Sequence, residues 1–179
     1  MGNEMSVSDL GEQLETSYTF MIDNFSHRKA SIRSPTFLSG QCEWYVEVYP
    51  QKNKYDNSVW LCLAVENPYS SSIYYGWKRR ANFRFIILNQ FGKVVYKTID
   101  TSTLFSGHKP AEGVGILPLS MLKGMGGLEN DKLIVKVEVK VVEVAYLTGR
   151  EMSEVETFEV PLTQVQTVSK ISKSTRTLQ

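Results

Sequence analysis

Apolar and polar residues begin to alternate at Tyr18, where Tyr18, Phe20 and Ile22 are interleaved with Thr19, Met21 and Asp23. A period of two sends every second side chain to one face, so this run predicts a strand with one side turned inward, ending at Asn24-Phe25-Ser26. Ser34-Pro35 predicts a short extended piece and Ser39-Gly40 a turn. Trp44, Val46 and Val48 then alternate with Glu43, Tyr45, Glu47 and Tyr49, the clearest half-buried strand of the chain, and Pro50 stops it. Residues 51 to 57 are polar and predict a loop. Val59 to Val65 is almost continuously apolar up to Asn67-Pro68, the pattern of a strand covered on both faces.

A Tyr/Ser-rich loop from Tyr69 to Gly76 leads through Trp77-Lys78-Arg79-Arg80 to Phe83, Phe85 and Ile87, which alternate with Asn82, Arg84 and Ile86. Asn89-Gln90-Phe91-Gly92 predicts a hairpin turn into a strand from Lys93 to Ile99, because glycine supplies the positive φ that a tight reversal needs. A long loop is expected from Asp100 to Gly113, a helical turn over Leu117 to Leu122 and a mobile glycine connector from Gly124 to Gly127. Leu133, Val135, Val137, Val139 and Val141 then mark one face of a long strand, Lys132 to Val144. Residues 1 to 15 show no sustained period and read as a flexible leader, and 16 to 146 as the folded domain. Residues 147 to 179 read as a polar linker, with Leu162, Val165, Val168 and Ile171 spaced to line a short helix after Pro161. About seven short strands with little helix predict an all-β fold, an antiparallel β-sandwich, since each half-apolar sheet needs a partner to cover it.

Composition narrows the function classes. A chain of 179 residues and 20.3 kDa, 42% hydrophobic, holds one ordinary core rather than two catalytic domains. Twenty basic residues against nineteen acidic leave a net charge of +1, so no global field favours nucleic acid. Lys78-Arg79-Arg80, between Trp77 and Phe83, is a small basic cluster that reads as the solvated start of a strand. Cys42 and Cys62 allow at most one disulfide, which fits a reducing, cytoplasmic setting. No apolar run is long enough to cross a membrane as a helix, and the N-terminus lacks a basic region followed by an apolar core. Met1-Gly2-Asn3-Glu4-Met5-Ser6 fits the short myristoylation pattern at Gly2, but no adjacent basic cluster adds a second anchor, so lipidation there would give only weak membrane association.

Catalytic chemistry finds few candidates. His27 and His108 both fall in predicted loops, and Cys62 lies within a strand expected to be packed, where a thiol behaves as a small hydrophobe. The histidines and cysteines show no zinc-ligand spacing. Lys123-Gly124-Met125-Gly126-Gly127 lacks the ending of a phosphate loop, and Glu129 and Asp131 read as solubilising groups before the last strand. The expectation is no catalytic residue, no metal and no cofactor.

Five segments together resemble the MATH domain, also called the TRAF-like domain. They are Tyr18-Thr19-Phe20-Met21-Ile22-Asp23-Asn24-Phe25-Ser26, Ser34-Pro35-Thr36-Phe37-Leu38-Ser39-Gly40, Trp44-Tyr45-Val46-Glu47-Val48-Tyr49-Pro50, Phe83-Arg84-Phe85-Ile86-Ile87-Leu88-Asn89-Gln90 and the stretch from Leu128 to Val139. Each is an ordinary strand or turn, but all five stand in the family's order across residues 17 to 145, nearest to plant proteins that join a MATH domain to a helical segment. The resemblance implies a sandwich of about eight strands that binds short extended peptides in a shallow groove and performs no catalysis. Carried over by position, the groove residues are Cys62 on the third strand, Phe83 on the next long strand, Thr103 in the following loop and Gly113-Val114 in the last segment. Trp60, Phe83 and Phe85 would floor it, although Phe83 and Phe85 share one face and a place inside the sandwich stays open for both.

The sequence departs from the family at this groove. Glu112-Gly113-Val114 stands where members with a characterised groove carry Trp-Gly-Phe, and Cys62 and Thr103 stand where adaptor members carry tyrosines. Their peptide preference therefore does not carry over. The expected function is a substrate-recognition or adaptor module for protein segments. An assembly element using residues 155 to 172 is the alternative. The stretch after Leu162 is too short for a sustained coiled coil, so trimerisation of the TRAF kind is not expected.

Overall fold

The alternation that starts near Tyr18 becomes β1 (Thr16–Ile22), and the same rule generates most of the later strands. The computed structural model describes residues 14–51, 57–69 and 76–145. A single 3-10 turn (Phe25–His27) plants the buried Phe25 ring and leads to two short strands, β2 (Ile32–Arg33) and β3 (Phe37–Ser39). Then come β4 (Cys42–Tyr49), β5 (Ser58–Val65), β6 (Lys78–Leu88), β7 (Val94–Lys97), β8 (Thr101–Ser106) and β9 (Ala111–Pro118). A six-residue helix, α1 (Leu119–Gly124), and a second 3-10 turn (Glu129–Asp131) precede β10 (Leu133–Ala145).

All strand pairing among the described residues is antiparallel. One sheet runs β1-β10-β6-β7, with β8 also on β6, and the other runs β2-β4-β5-β9, with β3 also on β4. Val135, Val137, Val139 and Val141 stand opposite Ile87, Phe85, Phe83 and Ala81 on the first sheet, all buried. The second sheet answers with Trp44, Val46 and Val48 on β4 and Val59, Leu61, Leu63 and Val65 on β5. Each such side chain contributes about 1.5–3 kcal/mol on leaving water, so this double layer is what holds the sandwich. Phe105 from β8 bridges the layers, edge-on to Trp44 at 4.9 Å between centroids, while the Trp44 indole N–H donates to the Ser39 carbonyl at 3.0 Å.

The turns follow their residue chemistry. Gly40 and Gln41, both near φ 57°, make the two-residue reversal between β3 and β4, where Ser39 faces Cys42. The Asn89 side chain accepts from the Phe91 and Lys93 amides at 3.0 and 2.9 Å, closing the predicted hairpin between β6 and β7.

Several expectations need correction. Residues 100 to 113 are not one loop: β8 and the start of β9 lie there, which places Thr103 in a strand. The extended piece at Ser34-Pro35 lies between β2 and β3, whose brevity hides any period and brings the strands among the described residues to ten rather than about eight. Strand β5 is not fully covered on both faces, for Trp60 and Cys62 are only half-buried. In the glycine connector, Gly127 is buried and its amide donates to the Leu122 carbonyl at 2.8 Å. Gly2, the leader to residue 13 and the C-terminal helix fall outside the described residues.

Candidate functional site

Alternation that buries Trp44, Val46 and Val48 must turn Tyr45, Glu47 and Tyr49 to the outer face of the second sheet, where all three are half-buried. Register extends that face across three strands. Tyr49 stands opposite Trp60 and Trp60 opposite Gly115, while Glu47 stands opposite Cys62 and Cys62 opposite Gly113. Because Gly113 and Gly115 have no side chains, the indole of Trp60 reaches over β9: a Cβ on Gly115 would lie 3.3 Å from its ring and one on Gly113 3.8 Å. The result is a shallow aromatic platform ending in bare backbone.

That backbone is also the open side of the sheet, for β9 pairs only with β5 among the described residues. The Val65 amide donates to the Pro110 carbonyl at 2.9 Å. In an antiparallel ladder the bonded positions alternate, so Glu112 and Val114 direct their N–H and C=O groups at β5 while Gly113 and Gly115 direct theirs away from it. Both glycines are exposed. An edge of this kind is a template for another extended chain.

Polar groups frame the platform. Ser31 donates to Glu47 Oε1 at 2.6 Å. Burial, and then a hydrogen bond with the Glu47 carboxylate, push the Tyr49 phenol up to about 12, so it stays a neutral donor at physiological pH. The Arg33 guanidinium lies 3.7 Å over the Tyr45 ring and pairs with Glu66.

Of the seven positions expected to form a groove, the structure brings Trp60, Cys62 and Gly113 together on this face. Val114 turns inward opposite Leu61. Phe83 and Phe85 occupy the inner face of the other sheet, 3% and 0% exposed, with their rings 5.7 Å apart. They form core rather than floor, because the alternation of β6 that buries Ala81 and Ile87 carries them along. Thr103 is buried on β8 opposite Ala81, its hydroxyl 3.4 Å from Glu112 Oε2. Tyr45, Tyr49 and Gly115 were missed as site residues. The alternation over Glu43 to Tyr49 already carried the signal for the tyrosines, and only the β5–β9 register reveals the glycine.

The outer face of the first sheet holds a different surface, an open cavity of about 340 Å³ around Arg84. Arg84 is ringed by Glu138 at 2.5 Å, Asp100 at 3.3 Å and Glu15 at 3.6 Å, so its charge is already satisfied within the fold. Burial pushes the Cys42 thiol up to about 11, and no group of three or more metal-ligating side chains occurs among the described residues.

Comparison with known proteins places this architecture. Residues 17–139 match the family model of the MATH domain. The chain belongs to the MATH domain family. It is 53% identical over 144 residues to the MATH domain and coiled-coil domain-containing protein At2g42475 of Arabidopsis thaliana, covering 78% of this chain and 39% of that protein. The like-named At2g42460 is 40% identical over 162 residues, 88% of this chain and 54% of its own length, and At2g42470 is 37% identical over 164 residues, 87% and 50%. The chain thus spans about half or less of these Arabidopsis thaliana relatives. The MATH domain is known as a protein-interaction domain. Among the described residues no helix is long and apolar enough to cross a membrane.

Proposed function

We propose that this MATH domain binds an extended segment of a partner protein on the outer face of its second sheet, along β9, and leaves that segment chemically unchanged. Support comes above all from one observation: the exposed backbone of Gly113 and Gly115 forms a sheet edge that no strand among the described residues pairs, beside the half-buried Trp60 ring. Strand addition supplies main-chain hydrogen bonds, and alternate side chains of the added segment fall on the Trp60 and Tyr49 side. The partner is a protein segment rather than nucleic acid, since Arg33 is engaged with Tyr45 and Glu66 and Glu47 adds negative charge to the face. A reducing, cytoplasmic setting remains part of this reading.

A displayed library of extended peptides, screened against the native chain and the Trp60→Ala and Gly113→Val variants, tests it. Valine at 113 meets only ordinary contacts at its Cβ, so the fold survives while a branched side chain covers the platform. Retained binders should weaken by about tenfold or more, equivalent to about 1.4 kcal/mol. Equal capture by folded native and variant proteins overturns the assignment. Slowed amide exchange at Gly113 and Gly115 on peptide addition is the direct signature of edge pairing.

A further inference from the structure

Ser31 follows Arg28-Lys29-Ala30 and precedes Ile32. Residues Arg28 to Ser31 are all exposed and run without regular structure from the first 3-10 turn to the two-residue β2. The segment is therefore both accessible and short of backbone order that would have to be broken. Its chemistry is directional: two cations stand three and two places before a hydroxyl, and a branched apolar side chain follows it. A kinase cleft lined with carboxylates would pair Arg28 and Lys29 and seat Ile32 once the two-residue strand frays.

The hydroxyl also sits at a sensitive place. It donates to Glu47 at 2.6 Å on the platform face, and Arg33, two residues on, stands opposite Glu47 in the sheet. We propose that Ser31 is the acceptor for a serine/threonine protein kinase that reads basic residues before its target, and that the phosphate resets the charge of the second sheet's outer face.

In the transfer, Ser31 Oγ attacks the γ-phosphorus of ATP held by the kinase. The new O–P bond forms as the bond from that phosphorus to the bridging β–γ oxygen breaks. The hydroxyl proton passes to a carboxylate of the kinase and ADP leaves. The modified oxygen has no proton to give, so the bond to Glu47 is lost and a near-dianion faces the Glu47 carboxylate. Arg33 is the adjacent cation, and its recruitment to the phosphate competes with its present positions over Tyr45 and beside Glu66. An effect on a bound segment rests on the binding reading above; the acceptor itself does not.

The full chain is incubated with ATP and the catalytic subunit of cyclic-AMP-dependent protein kinase, and the phosphate is mapped by mass spectrometry. The expected result is phosphate at Ser31, formed at least tenfold more slowly in an Arg28→Ala/Lys29→Ala variant. No phosphate at Ser31 while a reference peptide is fully modified, or phosphate confined to other positions, overturns the proposal. Phosphorus NMR titration then reads the surroundings of the group: its second pKa should fall in Glu47→Gln and rise in Arg33→Ala. If neither variant moves it, the phosphate does not lie on this face and the charge reset fails. Neither measurement uses a partner, so both stand apart from the success or failure of the peptide screen.

Discussion

The Trp60 indole crosses β9 so closely that a Cβ on Gly115 would stand 3.3 Å from its Cε2 and Cζ2 atoms, whereas one on Gly113 would find its nearest neighbour at 3.8 Å. Neither glycine has a left-handed φ, so alanine suits the backbone at both positions and only the ring distinguishes them. Gly115→Ala should cost about 1–2 kcal/mol, the range for forcing an extra carbon into a packed contact. Gly113→Ala should be neutral or stabilise by about 0.5 kcal/mol, through the lost freedom of the unfolded chain. Urea midpoints with tryptophan emission separate the two. Identical midpoints would show that the ring does not rest on Gly115.

Phe83 and Phe85 carry an opposite expectation. Both are enclosed between the sheets, so Phe85→Ala should cost about 3–5 kcal/mol through lost burial and the cavity left behind, with Phe83→Ala in the same range. Loss of partner binding in either variant should track unfolding, whereas Trp60→Ala should lose binding in chains that are still folded. A Phe85→Ala chain as stable as the native one would contradict the interior position.

Much of this fold is legible from side-chain alternation alone. β1, β4, β6 and β10 alternate because one face of each meets the core, and their runs are long enough for the period to register. β8 and β9 escape for a physical reason. Thr101, Thr103 and Phe105 do share one face, and Val114 and Ile116 another, but Gly107, Pro110, Gly113 and Gly115 are the residues by which loops are ordinarily recognised. In β9 Gly115 marks instead a close approach by the Trp60 ring. The site divides along the same line. Cys62 and Gly113 belong together by register, a relationship between strands that no local pattern encodes, while Phe83 and Thr103 face a different layer.

The two cysteines should differ sharply in reactivity. Cys42 is 4% exposed, and its thiol is pushed up to about 11 chiefly by burial, with Arg79 offsetting part of that rise. Cys62 is half-buried on the platform face. A maleimide at neutral pH should therefore add one label to the folded chain, at Cys62, and a second only after denaturation. Early labelling of Cys42 would mean that β4 opens more readily than its packing allows.

Acid should weaken the fold through two carboxylates, Glu138 on β10 and Asp131 in the 3-10 turn before it. Lys136 at 2.7 Å, together with Arg84 at 2.5 Å, holds the Glu138 carboxyl below its ordinary value despite burial. Asp131 is lowered first by hydrogen bonding to the Ser26 side chain, next by the Ser26 amide, which donates to it at 2.8 Å, and then by His27 at 3.3 Å. A carboxyl that binds its proton less tightly in the folded chain stabilises fully above the unfolded value and loses that contribution as pH falls through the folded one. Stability should thus hold near neutrality and decline from roughly pH 4.5 downward, where unfolded carboxylates begin to protonate. Glu138→Gln and Asp131→Asn should each lower stability at neutral pH and flatten that decline, because an amide has no proton to gain. Urea midpoints taken from about pH 6 to about pH 3 check this. Variant curves parallel to the native one would mean that these pairs exist equally in the unfolded chain and contribute nothing to the acid sensitivity.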